Sequence, residues 1–185
     1  MPNGHEYYRI ECMMKITPYR DFVREFVNEV VVSCPYGIFA KVIPTADSLL
    51  KIKKRFGHLE PLADDLHTTV MFSRTPCEHV DLPTIDRHER YSAVGVQLTF
   101  WEGHDKDGYL VLLLDSPHLQ SLHDRFTACG LKGSYDTYHP HVTLVTPYKN
   151  PIHTQNQLIE PIFLEFYYGG YVLLDPPSPQ KDTTP

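Results

Sequence analysis

The sequence contains no apolar run approaching the roughly 20 residues that a membrane-spanning helix needs, which removes a membrane helix and a membrane partner from the reading. It is poor in cysteine. The four present, Cys12, Cys34, Cys77 and Cys129, fall at no zinc or redox spacing, and the start lacks the basic-then-apolar order of a secretory leader. A reduced, cytoplasmic protein without metal or other cofactor is therefore expected. An excess of positive charge is also missing: 17 Lys and Arg face 23 Asp and Glu, for a net charge of −6. A protein that grips long DNA or RNA needs a broad basic surface, so long nucleic acid is excluded as a partner. A small phosphorylated ligand held by a few local cations is not. There is one tryptophan, and its position carries information for that reason.

What is present suits one globular domain: 185 residues, 42% of them hydrophobic and 22% charged. Thr17-Pro18 reads as a helix N-cap followed by proline, and Phe22, Val23, Phe26, Val27, Val30 and Val31 recur at helical spacing. This amphipathic helix, closed by Ser33-Cys34-Pro35, forms an N-terminal extension over residues 1–35. Its stripe faces either the core or a partner, so a homodimer stays open. The main domain is placed at residues 36–175. It begins with a strand over 37–43 and a helix over 46–56, with Leu49, Ile52 and Phe56 inward and Gly57 at its end.

Residues 73–91, with Pro76, Pro83 and many charges, read as a long surface loop. Strict alternation over 92–101 puts Val94, Val96, Leu98 and Phe100 on one face and Gly95, Gln97, Thr99 and Trp101 on the other. A turn over 103–108 leads to an apolar strand over 109–114. Ser116-Pro117 then caps a helix whose inward side is Leu119, Leu122, Phe126 and Cys129, and Gly130 stops it. Final strands are expected over 161–175, broken at Gly169-Gly170, before a disordered tail over 176–185.

Two short stretches stand out. In Leu66-His67-Thr68-Thr69-Val70 and in His139-Pro140-His141-Val142-Thr143-Leu144, strand alternation puts a histidine and a threonine on one face and apolar or buried positions on the other. Either stretch alone would be ordinary, since threonine favours strands for its shape. They occur, however, in matching contexts. Each follows a strand, a helix with a Thr or Ser cap, a terminal glycine and a loop, and Gly57 precedes His67 by almost the same distance as Gly130 precedes His141. Duplicated strand-helix-strand lobes would bring the two histidines together across a cleft. A metal site at His139 and His141 is the competing reading, but no further ligands at zinc spacing support it. His104, His118, His123 and His153 lie in turns or on polar helix faces and read as solvated.

The paired His-x-Thr motifs resemble those of the two-histidine phosphoesterase superfamily over about residues 37–175. Leu66-His67-Thr68-Thr69-Val70-Met71-Phe72-Ser73-Arg74 and Tyr138-His139-Pro140-His141-Val142-Thr143-Leu144 are similar to the phage anti-CBASS nucleases, which degrade cyclic oligonucleotide signals of bacterial immunity. The resemblance implies a bilobal α+β fold, with two antiparallel sheets around a central cleft and flanking helices. It also implies metal-independent hydrolysis of the 3′–5′ bonds of cyclic di- or trinucleotides such as cyclic GMP-AMP, in the infected host cell. The other readings are an RNA 2′,3′-cyclic phosphodiesterase of the same superfamily and a non-catalytic sponge for cyclic nucleotides.

The chemistry follows from the residue types. With an ordinary pKa of about 6.5, one imidazole of a pair can be neutral while the other is protonated, so His67 and His141 can serve as general base and general acid in either order. Thr69 and Thr143 would donate to the non-bridging phosphate oxygens. Trp101 sits on the polar face of its strand and is a candidate for stacking on a base. The resemblance further implies an aromatic on the first strand, Phe39, with Tyr36 as a nearby substitute; either could equally be core. Lys41 and Arg74 could meet phosphate, and Tyr138 could orient the second motif or line the pocket.

Overall fold

The computed structural model describes residues 31–59, 62–102, 108–148 and 156–176. They form an α+β fold of antiparallel strands with two helices: β1 (Val31–Cys34), β2 (Ile38–Pro44), α1 (Ala46–Phe56), β3 (Thr68–Ser73), β4 (Cys77–Asp81), β5 (Arg90–Glu102), β6 (Gly108–Asp115), α2 (Pro117–Ala128), β7 (His141–Tyr148) and β8 (Gln157–Leu173). No helix among the described residues is long and apolar enough to cross a membrane.

Both helices start where side-chain caps predict. Thr45 accepts from the Ser48 amide and Ser116 from the Leu119 amide, satisfying donors that the first turn leaves unpaired. α1 buries Ile52 and Phe56, joined by Ser48 rather than Leu49, because the Ser48 hydroxyl accepts from the Glu165 amide of β8 at 2.7 Å. α2 buries Leu119, Leu122 and Phe126, and Gly130 follows its end with a positive φ of 90°. Each helix links two neighbouring antiparallel strands, β2–α1–β3 and β6–α2–β7.

The expected pair of sheets is instead one six-stranded sheet in the order β3-β2-β8-β5-β6-β7, with a separate two-stranded sheet of β1 and β4. The reason is β8. The expected break at Gly169-Gly170 is a bulge within a single strand, since Lys41 pairs with Gly170 and Val42 with Tyr168, leaving Gly169 unpaired. The first half of β8 pairs with β5 and the second half with β2, so this strand joins the two β–α–β units.

In the sheet order β3 and β7 are opposite edges, yet they touch. The sheet curls until the edges meet, and backbone bonds close the seam: the Ala63 amide donates to the Leu144 carbonyl at 2.7 Å, and the Ser134 amide to the Phe72 carbonyl at 2.8 Å. The core of large apolar side chains from both units, among them Phe56, Val70, Leu112, Phe126, Leu144 and Phe166, is continuous.

Four further expectations change. Val31, Ser33 and Cys34, placed at the end of an N-terminal helix, form strand β1; the rest of that helix lies outside the described residues. The 73–91 loop contains β4, whose polar residues Glu78, His79 and Asp81 disguise an edge strand that buries only Val80. Pairing of β1 with β4 sets Cys34 opposite Cys77, and the two form a disulfide with Cα atoms 5.1 Å apart, so these cysteines are not reduced thiols. Finally, the alternation along β5 breaks where Val96 bulges out of register. Tyr91 and Ala93 are buried before it and Leu98 and Thr99 after it, while Val94 and Val96 are only half-buried. The 103–108 turn up to its last residue, His104, His153 and the tail after Pro176 lie outside the described residues.

Candidate active site

His67 stands at the entry to β3 and His141 is the first residue of β7, so the closed seam puts the two motifs side by side. Alternation acts as expected: Thr68 and Val70, like Val142 and Leu144, are buried, whereas His67, Thr69, His141 and Thr143 are half-buried on the opposite face. The imidazoles are near enough that the charge of His67 acts on His141.

The same local device orients both rings. His67 Nδ1 lies 2.9 Å from the Asp65 carbonyl, and His141 Nδ1 lies 2.8 Å from the His139 carbonyl. A carbonyl only accepts, so Nδ1 carries the proton in each ring and Nε2 is the atom left for a substrate. Neither the Thr69 nor the Thr143 hydroxyl bonds another side chain or backbone group among the described residues. Both are therefore available as donors.

Around this shared frame the two histidines differ. The Asp65 carboxylate lies 3.4 Å from His67 Nδ1 and 2.6 Å from Lys41 Nζ. Its bond to His67 first, and the Lys41 ammonium after it, hold the Asp65 carboxyl well below the usual carboxylate range, against the opposing effect of burial. His141 has no such carboxylate. Burial pushes its pKa below 6.5, and the charges of His67 and His139 push the same way, while its bond to the His139 carbonyl works against them. Burial thus favours the neutral form of His141, and His67 sits beside an anion.

Aromatic rings flank both imidazoles. Phe39 meets His67 edge-on with centroids 5.6 Å apart, and Trp101 meets His141 at 4.3 Å. Tyr36 lies in the β1–β2 turn, 42% exposed, and it is Phe39 rather than Tyr36 whose ring touches His67. Lys41 is engaged with Asp65, and the Arg74 guanidinium lies 5.6 Å from the Phe72 ring centre while donating to the Asp175 carbonyl.

Tyr138 precedes the second motif but serves the first. Its hydroxyl donates to the Thr69 carbonyl at 3.1 Å, and its ring stacks on His123 with centroids 4.2 Å apart and planes 4° from parallel. His123 in turn donates from Nδ1 to the Val70 carbonyl at 2.7 Å. His123 is thus half-buried and bonded, not solvated, because α2 packs across β3. Two successive carbonyls of the first motif are held by side chains of the other β–α–β unit or its loop. His118 is exposed and accepts from the Ser92 amide. Among the described residues no group of three or more His, Cys, Asp or Glu could hold a metal ion.

The family model of the anti-CBASS protein Acb1 matches residues 37–165, well over half of the chain and inclusive of both motifs. The chain belongs to the Acb1 family. The Anti-CBASS protein Acb1 of Acinetobacter phage Ac42 is 37% identical over 81 residues, 44% of this chain and 51% of that protein. The chain thus spans about half the length of this curated relative. Within this Acb1-family chain the match takes in Phe39, Asp65, Trp101, His123 and Tyr138 and leaves out Tyr36 and the second half of β8.

Neither Asp65 nor His123 stands out in the sequence as a site residue. Asp65 has one available signal, its place two residues before His67. His123 is brought in by the packing of α2 across β3.

Proposed function

We propose that this protein is a metal-independent phosphodiesterase that hydrolyses 3′–5′ bonds of cyclic di- or trinucleotide immune signals, counteracting CBASS defence inside the infected host cell. The two β–α–β units are read as the duplicated lobes of a two-histidine phosphoesterase fold. The observation that carries this is the pair of imidazoles, each fixed through Nδ1 with Nε2 free and each with an unengaged threonine hydroxyl two residues on.

His141 Nε2, its neutral form favoured by burial, accepts the proton of a ribose 2′-hydroxyl as that oxygen attacks the adjacent 3′-phosphorus. The bond to the 5′-oxygen breaks, and the leaving oxygen takes its proton from Nε2 of His67, whose imidazolium has the Asp65 carboxylate as counter-charge. A 2′,3′-cyclic phosphate results. Water then opens it with the roles exchanged. Thr69 and Thr143 donate to the non-bridging oxygens, where negative charge grows in the transition state.

Incubation with a panel of cyclic dinucleotides and an RNA 2′,3′-cyclic phosphate, chelator present, tests this. Opening of a cyclic dinucleotide is the expected result. Action on the RNA end alone would assign the chain to end processing, and binding without turnover would make it a sponge. A 2′-deoxy analogue cleaved as fast as its parent would refute attack by the ribose hydroxyl.

A further inference from the structure

Beyond the histidine pair, the most continuous unassigned feature is a run of rings leading away from His67. Phe39, in contact with His67, also meets Phe72 at 6.5 Å, and Phe72 meets Tyr135 at 6.4 Å with planes inclined by 32°. Tyr135 lies in the loop before β7 and is 63% exposed. A ring so exposed would ordinarily be free to wander with its loop, but this loop is clipped to β3. The Ser134 amide donates to the Phe72 carbonyl at 2.8 Å, and the Ser134 hydroxyl accepts from the Arg74 amide at 3.2 Å. Arg74 is itself held across Phe72 and by the Asp175 carbonyl. The Tyr135 ring is therefore presented to solvent from a fixed position.

The ring contacts run from His67 through Phe39 and Phe72, so Tyr135 stands at the solvent end of a line that starts at a reacting group. Two aromatic stations result, Trp101 beside His141 and the Tyr135–Phe72 pair beyond His67. A ligand carrying one base needs one of them. A ring of two or three nucleotides presents a second base once the first is seated.

We propose that Tyr135, backed by Phe72 and Arg74, is a second stacking subsite that takes a nucleobase of the substrate while Trp101 serves another. This rests on the reading of the chain as acting on cyclic oligonucleotides, and it makes Tyr135 a specificity-determining residue for ligands of more than one base. Stacking on an exposed ring is tolerant of base identity because every base has a π-face. The subsite counts bases; it does not choose among them.

The test compares cyclic GMP-AMP with two analogues that each lack one base. Tyr135→Ala should raise KM for the intact ligand about tenfold with kcat unchanged, and Tyr135→Phe should restore it, since the stacking face is kept. For one analogue the wild type should already show the loss, and Tyr135→Ala should add nothing further, the signature of a direct contact. Equal KM in wild type and Tyr135→Ala, or a full additional penalty on both analogues, would overturn the subsite. Dissociation constants in the His67→Ala background, read from fluorescence of the single tryptophan Trp101, separate this from the catalytic reading. Tyr135-dependent binding without wild-type turnover leaves the subsite standing and removes the phosphodiesterase assignment. Absence of any binding overturns both.

Discussion

The β3 and β7 motifs are built alike and placed in unlike fields. In both, Nδ1 of the histidine is bonded to the carbonyl two residues upstream and a threonine follows on the same face. Only His67 has a carboxylate and an ammonium beside it, and only His141 is driven toward neutrality by burial. The two motifs thus share one local geometry and differ in what surrounds them. A pair with identical surroundings would have no preferred direction of proton flow. In the proposed mechanism, residues outside the motifs set it.

Substitution of the histidines should separate the two most sharply. His67→Ala and His141→Ala should each lower kcat about 10²- to 10⁴-fold on a cyclic dinucleotide. On a nucleoside 3′-(p-nitrophenyl phosphate), whose leaving group needs no proton, His67→Ala should recover most of its rate and His141→Ala should not. Recovery by His141→Ala instead would reverse the assignment.

Thr69→Val and Thr143→Val keep the shape and remove the donor. Each should cost about 10²-fold in kcat, measured at saturating substrate, if the hydroxyls stabilise charge formed in the transition state. A rise confined to KM would place them in binding alone.

Asp65→Asn tests the asymmetry itself. It deletes the carboxylate that His67 Nδ1 and Lys41 Nζ share. On a cyclic dinucleotide kcat should fall several-fold. The acid side of the pH–rate profile should stay where it is, because it reports His141. Its pKa is lowered, so activity is retained through pH 6.5 and lost as pH falls through that lowered value and the base becomes protonated. An acid limb above pH 6.5 would contradict the neutral His141.

The smallest effect is expected at Tyr138→Phe. The Thr69 carbonyl loses its phenolic donor, which should cost about 1 kcal/mol in denaturant unfolding. kcat should fall a few-fold with KM unchanged, because the shift falls on the Thr69 strand and not on Trp101 or Tyr135.

Much of this was legible locally. α1 and α2 follow from caps, apolar spacing and terminal glycines, and the inward and outward residues of both motifs follow from alternation. What escaped depends on neighbours distant in the chain. β4 is polar except for Cys77 and Val80 and is a strand only because β1 lies beside it, and the Cys34–Cys77 bond depends on that same pairing. His123 is a polar position on an amphipathic helix until β3 supplies the Val70 carbonyl and the loop supplies Tyr138. Asp65 gains meaning only when Lys41 arrives from β2. Alternation along β5 misleads because one bulge exchanges its faces.

The position of β8 in the chain also bears on how the site comes into being. Both histidines leave the ribosome before this strand does, yet without it β2 and β3 form one sheet fragment and β5, β6 and β7 another. Its two halves pair with residues 38–44 and 90–98, contacts between segments far apart in sequence, which form late in folding. A nascent chain arrested before residue 157 would carry both motifs without the strand that holds their halves in one sheet. The two histidine motifs are therefore held in one sheet by a strand that contributes neither of the histidines.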